Sequence, residues 1–454
     1  MRKYFGTDGI RRIANTELTP ILVYKVAKAG AYVLSKHTDH MPTILIGRDT
    51  RLSGTLIESA MTAGFLSYGA NVISLGVIPT PAVAYLTKKL KADASVVISA
   101  SHNTYEFNGV KYFSNKGMKI PDEIEEEIEE IMDSGKIDEL TAINEKIGVA
   151  EVKEELLDEY VYFFRKNFEE EIEEYLNKDF VVALDTANGA TYKVAEKVFK
   201  TLGINYRIIN NEPDGININE NCGSTHMEGL KKYVVENKLS LGIAYDGDGD
   251  RCLAVDENGN EIDGDMIMAI VAKHLKEKGK LANNAVVATV MSNLGLNKFS
   301  KDNEIDLKQT KVGDRYVLEE MLAKGYNLGG EQSGHVIMLD YNPTGDGILT
   351  SLMLIKVLLE KNIKASEASK VIEIYPQVLI NAKVDNNKKY DFDKDEEVKN
   401  AIEAVENEFS GNGRVLIRPS GTEPLIRVMI EGQDKEYITK KAEEIAKLIE
   451  ERLK

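Results

Sequence analysis

The segment at residues 96–113, VVISASHNTYEFNGVKYF, decides how the rest of the chain is read. It opens as an apolar run fit for a buried strand and breaks into a short polar loop carrying Ser101, His102 and Asn103. After Asn108-Gly109 it resumes as an alternating run through Lys111 and Phe113. A loop anchored between two strand-like segments presents a hydroxyl on a rigid mount, and Ser101 is the candidate hydroxyl. Alone, the segment reads equally well as a surface hairpin, so the remainder of the chain has to decide.

On the N-terminal side, FGTDGIRR at 5–12 reads as a Gly-punctuated loop, and Thr19-Pro20 starts an apolar helix over 21–34. TILIGR (43–48) and VISLG (72–76) read as strands, with a helix from Ser53-Gly54 to about 63 between them and another starting at Pro79-Thr80-Pro81. This alternation argues for a mostly parallel sheet covered on both faces. Residues 122–132 are strongly acidic, with Ile124, Ile128 and Ile131 at helical spacing, and read as a solvated helix with one buried face.

On the C-terminal side, a long amphipathic helix over 152–177 leads into a second α/β unit whose last strand, LSLGIAYD, runs straight into DGDGDR. A third unit has the same order of elements, with a Gly-rich turn, NLGGEQSGHVIM, between short strands and an amphipathic helix over 345–362. From about 371 the pattern becomes α+β, two helices flanking two strands joined by the turn in GRVLIRPSGTEPLIRVMIEG. The expected domains are therefore 1–151, 152–256, 257–370 and 371–454, which suits 454 residues at roughly 100–200 per domain.

Composition narrows the function classes. Lys+Arg 57 against Asp+Glu 74 leaves −17 and no basic run, which argues against a nucleic-acid partner. Two cysteines, Cys222 and Cys252, without CxxC spacing point to a reduced compartment. No apolar stretch suits a signal peptide or a membrane span, so the expected location is cytoplasmic with no membrane partner. No G-x-x-x-x-G-K-[ST] occurs, which argues against a P-loop kinase or ATPase.

Three further segments carry chemistry. Asp246, Asp248 and Asp250 alternate with glycine at the end of an apolar strand, a costly charge cluster unless a cation offsets it, and such oxygen ligands suit Mg²⁺ or Mn²⁺. An EF-hand reading fails because Arg251 stands where the loop needs glycine and the flanks read as strands. Glu331, Ser333 and His335 lie two apart, so in an extended loop they face one side and can read sugar hydroxyls or an amine. Arg418, Ser420, Gly421 and Thr422, with Arg427 beyond, make a phosphate nest. Arg11, Arg48 and Arg51 are further candidates for a phosphate or carboxylate partner. A hydroxyl, a carboxylate triad, a polar reading loop and a phosphate grip are together the parts that phosphoryl transfer needs.

The segments FGTDGIRR, SASHNTYEFNGVKYF, DGDGDR, TKVGDRYV, GGEQSGH and RPSGTEPLIRV resemble, in order and separation, the α-D-phosphohexomutase superfamily over essentially the whole chain. The GGEQSGH loop together with FGTDGIR resembles its glucosamine branch. The resemblance implies three related α/β domains and a C-terminal α+β domain of the TATA-box-binding-protein-like kind around a central cleft. It implies that Ser101 is carried as phosphoserine, and that Mg²⁺ is held by Asp246, Asp248, Asp250 and a phosphoryl oxygen on Ser101. His102 and Lys111 would flank the transferring group, with Arg11 and Arg251 close by. Glu331, Ser333 and His335 would read the sugar, while Arg418, Ser420, Gly421, Thr422 and Arg427 would hold the phosphate that is not reacting.

The implied reaction converts glucosamine 6-phosphate to glucosamine 1-phosphate through glucosamine 1,6-bisphosphate, feeding UDP-N-acetylglucosamine. The implied partner is a small phosphosugar, and a homodimer stays open. A phosphomannomutase/phosphoglucomutase acting on a non-amino sugar, and a non-catalytic phosphosugar-binding protein, are the alternatives. Two departures stand out: Arg12 where the family usually has glycine, and Thr104 where it usually has proline. The second predicts a more mobile loop around Ser101, with activity retained.

Overall fold

The computed structural model describes residues 3–6, 8–36, 38–409, 411–420 and 423–454. It divides into two compact units, Met1–Met291 with Ile305–Val371, and Ser292–Glu304 with Ile372–Lys454.

Three sheets make up the first unit. The first runs β1 (Ile10–Ile13), β2 (Thr43–Arg48), β3 (Asn71–Val77), β4 (Ala94–Ile98), β5 (Phe107–Ser114) and β6 (Ala150–Val152), in spatial order β1-β5-β4-β2-β3-β6. The second has β7 (Val181–Asp185), β8 (Asn205–Ile209), β9 (Leu241–Tyr245), β10 (Cys252–Asp256) and β11 (Glu261–Ile262), ordered β11-β10-β9-β7-β8. The third has β12 (Ala285–Thr289), β13 (Asp306–Thr310), β14 (Leu328–Gly330) and β15 (Val336–Met338), ordered β13-β12-β14-β15.

One four-strand plan recurs in all three sheets. A first strand (β2, β7, β12) is flanked by two parallel neighbours, β3 and β4, β8 and β9, or β13 and β14. The last of these turns back as an antiparallel strand, β5, β10 or β15. The plan is invisible as sequence identity because only the burial pattern repeats. Strands β4, β9 and β12 are buried along their whole length, which is what continuous apolar runs covered on both faces require. The three turns of these hairpins are 99–106, 246–251 and 331–335, so Ser101, the three aspartates and the GGEQSGH loop occupy one and the same topological position.

Helix boundaries follow local chemistry. Thr19 caps Pro20–Ser35 by accepting from the Leu22 N–H, with proline in the first turn. Asp263 and Asp346 cap Gly264–Glu277 and Gly347–Lys361 in the same way. Several expectations need correcting. FGTDGIRR is not all loop: Ile10–Ile13 adds an antiparallel edge to β5 and pairs Arg11 with Gly109. The acidic helix Asp122–Asp133 has the expected single buried face, but that face takes in Glu125 and Glu129 beside Ile128 and Ile131, and the Glu129 carboxylate accepts the N–H groups of Lys3, Tyr4 and Phe5 and docks the N-terminal segment. Helix Gly347–Lys361 is buried from Gly347 to Leu359 instead of presenting a solvent face, since helices Leu157–Tyr175 and Gly264–Glu277 pack on it.

The second unit is α+β. Its sheet, ordered β16-β18-β17, is antiparallel throughout, with β16 at Gln377–Lys383, β17 at Gly413–Pro419 and β18 at Leu425–Gly432. Helices Glu396–Phe409 and Lys435–Arg452 close a core that includes Val398, Val405, Val428, Ile438 and Ile449. Helix Leu294–Asp302 belongs to this unit, and Asn293, at its start, donates to the Tyr375 carbonyl at 2.9 Å and to the buried Glu431 at 3.2 Å. Among the described residues no helix is long and apolar enough to cross a membrane.

Candidate active site

The β4–β5 turn holds Ser101 with φ at +51°, a left-handed conformation that a serine keeps only when its surroundings dictate it. They do. Arg51, fully buried, donates to the carbonyls of Ser101 (2.9 Å), Asn103 (2.8 Å) and Thr104, and its Nε is fixed by Asp49 at 2.8 Å. Asp49 also accepts from the Ser99 hydroxyl at 2.6 Å, and Ser99 Oγ in turn accepts the Ser101 N–H at 2.9 Å. Arg51 is therefore part of the loop's scaffold and not a phosphate ligand. Arg48 is likewise engaged, its Nε 2.8 Å from Glu58. In the loop where Thr104 stands, the guanidinium of Arg51 grips the Thr104 carbonyl.

The side chain of Ser101 points at the second sheet. Its Oγ donates to Asp246 Oδ2 at 2.7 Å and lies 3.4 Å from His102 Nδ1. Asp246, Asp248 and Asp250 are all buried in the β9–β10 turn, each offering an oxygen within 4.8 Å of the others. Asp248 Oδ2 accepts from Thr80 Oγ1 at 2.7 Å and from Lys111 Nζ at 3.0 Å, but Asp248 Oδ1 and Asp250 Oδ1 are buried without a hydrogen-bond partner among the described residues. Two unpartnered carboxylate oxygens beside a third acid are costly unless a cation meets them, and an all-oxygen donor set of this kind fits a hard divalent ion. The flanking elements are strands, as the failed EF-hand reading requires.

Electrostatics divides the groups. Burial, reinforced by Asp250 and Asp248, pushes the Asp246 carboxyl well above the usual carboxylate range. Burial acts the same way on Asp250, but His335, Lys111 and Arg251 outweigh it and hold that group low. Lys111 is pulled upward against its own burial by Asp248, Asp8 and Asp250, and so remains an ammonium. His102 goes the other way: burial, with Arg251 and Arg11 adding to it, lowers it to about 4, so its imidazole is neutral at pH 7.

Around this centre Arg11 donates to Asn103 Oδ1 at 3.0 Å and to Asp8 at 2.8 Å, and Asp8 also meets Lys111 at 3.0 Å. Arg251 lies along the carboxylate loop, its Nε 3.9 Å from Asp250, and its backbone N–H donates to Asp246 at 3.2 Å. The GGEQSGH loop does not behave as one face. Glu331 and Ser333 are half-buried, with Glu331 Oε1 accepting from the Gly313 N–H at 3.2 Å. His335 turns inward, 3.5 Å from both Asp250 and Asp314, with the Gly345 N–H directed at its Nε2 at 3.1 Å. Burial lowers this imidazole, but Asp250 and Asp314 outweigh it and raise it from its ordinary value, with Nδ1 toward Asp250. His335 thus packs under the carboxylate loop, because the hairpin's second strand starts beside it and draws the side chain in.

Asp8, Lys119 and Asp314 were not read as functional. Lys119 bridges Asp8 and Asp314 and so links the first and third sheets next to Lys111 and His335. Asp8 and Asp314 lie inside FGTDGIRR and TKVGDRYV, which was the available signal.

In the second unit, β17 and β18 place Arg418 directly opposite Arg427. Ser420 is buried, its Oγ accepting from the Glu423 N–H at 3.2 Å and its carbonyl accepting from Lys389 Nζ at 2.9 Å. Gly421 and Thr422 lie outside the described residues.

Four models described as phosphoglucomutase/phosphomannomutase match consecutive parts of the chain: alpha/beta/alpha domain I over 2–138, domain II over 158–259, domain III over 263–375 and the C-terminal domain over 379–448. The chain belongs to the phosphoglucomutase/phosphomannomutase family. Family membership explains the thrice-repeated strand plan and the different fourth domain. Among curated relatives, the phosphoglucosamine mutase of Ruminiclostridium cellulolyticum is 55% identical over 453 residues and that of Acetivibrio thermocellus 54% identical over 455, with all of each chain covered. The crystal structure of a family member from Burkholderia thailandensis superposes with a TM-score of 0.81 at 19% identity, covering 98% of this chain and 96% of that one, which speaks to the fold.

Proposed function

We propose that this enzyme interconverts glucosamine 6-phosphate and glucosamine 1-phosphate, with Ser101 as the phosphoryl carrier. One observation carries the assignment of the carrier: the Ser101 hydroxyl lies 2.7 Å from Asp246, inside a buried triad with unpartnered oxygens, in a chain alike over its full length to phosphoglucosamine mutases. It is an intramolecular phosphotransferase of the isomerase class.

In the forward direction the phosphoryl on Ser101 passes to O1 of the sugar. The Oγ–P bond breaks, the O1–P bond forms, and the proton of O1 passes to Ser101 Oγ. The resulting 1,6-bisphosphate turns over in place, its O6 phosphoryl returns to Ser101 Oγ, and O6 takes up a proton. A serine hydroxyl is a weak nucleophile and needs a partner for its proton on that return step. His102, neutral at pH 7 and 3.4 Å from Oγ, accepts and returns it. Lys111, Arg11 and Arg251 offer donors to the equatorial oxygens as charge spreads over them. Asp246, Asp248 and Asp250, with a phosphoryl oxygen on Ser101, would hold Mg²⁺, which would supply further stabilisation of that charge. Glu331 and Ser333 read the sugar, and His335 supports the carboxylate loop from below. Arg418, Ser420, Gly421, Thr422 and Arg427 hold the distal phosphate, so that 1–151 carries the phosphoserine, 152–256 the metal, 257–370 the sugar loop and 371–454 the grip.

Peptide mass mapping for one phosphoryl group on Ser101, paired with a coupled assay for glucosamine 1-phosphate with and without a chelator, tests this reading. It predicts phosphoserine and chelator-sensitive turnover. A higher kcat/KM for glucose 6-phosphate or mannose 6-phosphate would replace the assigned substrate.

A further inference from the structure

The serine loop and the carboxylate loop belong to different sheets, yet transfer needs Ser101 Oγ and the aspartates at a fixed spacing. Arg51 cannot set it, because Arg51 and Ser101 belong to the same layer. Lys111 reaches Asp248 across the layers, and among the described residues Asn219 and Thr80, neither in a segment read as functional, also span them, each at one of the two loops. Asn219 follows β8 in the second sheet's layer. It is buried, its φ is +59°, and its own N–H is anchored on the Ala187 carbonyl at 2.9 Å. Its Nδ2 reaches across to donate to the carbonyls of Ser101 and Asn103, each at 2.9 Å. Thr80 begins helix Thr80–Leu90 in the first sheet's layer and reaches the opposite way. Its N–H donates to the Asp248 carbonyl at 2.9 Å and its hydroxyl to Asp248 Oδ2 at 2.7 Å. The loops touch between these two points: a Cβ on Gly247 would fall 2.5 Å from the Ser101 carbonyl oxygen and 2.7 Å from Asn219 Nδ2.

We propose that Asn219 and Thr80 are positioning residues forming a reciprocal clasp, each layer holding the other's functional loop, which sets the distance from Ser101 Oγ to the carboxylates before cation or substrate binds. The inference rests on the reading of Ser101 as phosphoryl carrier. Its physical basis is directional. Amide donors pinning the carbonyls of Ser101 and Asn103 hold Ser101 in its left-handed backbone, while the Thr80 contacts pin the aspartate loop to the serine's own sheet. Releasing either side lets the two loops drift, and a misplacement of about 1 Å can cost about a hundredfold in rate.

The test uses the full-length enzyme, with Asn219→Ala, Thr80→Val and the double variant. Turnover is expressed per phosphorylated enzyme, and hydrogen exchange is followed at the amides of residues 99–106 in the metal-free protein. Each single variant should lose about ten- to hundredfold in kcat with KM for glucosamine 6-phosphate unchanged, and the loop amides should exchange faster without metal. Because both side chains fix one spacing, the double variant should lose no more than the worse single variant. Thr80→Ser, which keeps the hydroxyl, should recover most of the loss. If Asn219→Ala does not fold, Asn219→Asp keeps the left-handed backbone while removing the donors and takes its place. Unchanged kcat in folded variants that merely melt earlier, or losses that multiply in the double variant, would overturn the clasp. A wild-type enzyme without phosphoserine or mutase turnover would overturn the functional reading instead, and the metal-free exchange data would still decide the clasp.

Discussion

The serine centre and the arginine turn of the second unit handle charge in opposite ways. Around Ser101 nearly every cation already has an anion: Lys111 meets Asp8 and Asp248 at 3.0 Å, Arg11 meets Asp8 at 2.8 Å, and Lys119 bridges two carboxylates. In the second unit two arginines face each other on neighbouring strands, and Arg427 approaches Glu423 only at 3.7 Å. Like charges directly opposite on a sheet cost roughly 0.2–1 kcal/mol, a cost that an anion between them removes. The first region is assembled before its substrate arrives, as preorganised electrostatics demands. The second sets two guanidinium groups on facing positions, which under the proposed function are offered to a phosphate. On that reading chemistry and grip are separable, and substitutions should show it as kcat effects in one region and KM effects in the other.

The largest expected effect is Ser101→Ala. Without the carrier oxygen no phosphoenzyme forms, so turnover should fall by at least about 10⁴-fold, with the phosphoryl mass absent from the Ser101 peptide. Retained turnover would remove the serine centre from the comparison altogether. Asp248→Asn comes next. It removes the charge of a carboxylate that meets Lys111 and Thr80, and should lower kcat about 10²–10³-fold, the scale of losing one electrostatic contact to the transition state. It should also raise the concentration of Mg²⁺ needed for half-maximal activity, which a titration of the chelator-treated enzyme reads directly. Arg427→Ala should be milder and of another kind: loss of a charge-assisted hydrogen bond, about 1.5–3 kcal/mol, should raise KM with kcat changed far less. A fall in kcat at constant KM for Arg427→Ala would break the division between chemistry and grip.

How much of this was legible in the sequence depended on whether partners lie close along the chain. Ser101, the aspartate triad and GGEQSGH were readable because each is a contiguous hairpin turn whose residue types already state their chemistry. Thr80 and Asp248 are 168 positions apart, and Lys119 and Asp314 are 195 apart, so nothing local marks either pair. Arg51 has the carboxylate partner that was expected of it, Asp49, but nothing in the sequence separates a guanidinium that also pins three backbone carbonyls from one that waits for phosphate. His335 was misplaced because alternation fixes a side only in an extended run, and the turn at Gly334, with φ at +92°, breaks it. Strands β6 and β13 escaped because their residues are largely exposed or only half-buried, leaving no apolar run to find. Helix Gly347–Lys361 read as amphipathic although tertiary contacts cover it on more than one side.

The smallest expected effect probes how complete the serine centre already is. If Thr104 left the loop mobile, Thr104→Pro should raise turnover by rigidifying it. In the structure the work is done by Arg51, which holds the carbonyls of Ser101, Asn103 and Thr104, and by Asn219, which holds the first two. Proline keeps the carbonyl that Arg51 grips. It removes the Thr104 N–H and the side-chain hydrogen bond to Glu106, and narrows the unfolded chain, the last an effect worth about 0.4–1 kcal/mol of stability at a compatible position. Thr104→Pro should therefore raise the melting temperature slightly and leave kcat and KM where they were. Melting curves and initial rates on the same preparation check both halves. A clear gain in kcat would mean that the loop still samples unproductive positions despite Arg51, and that this region, like the arginine turn, is completed only when substrate binds.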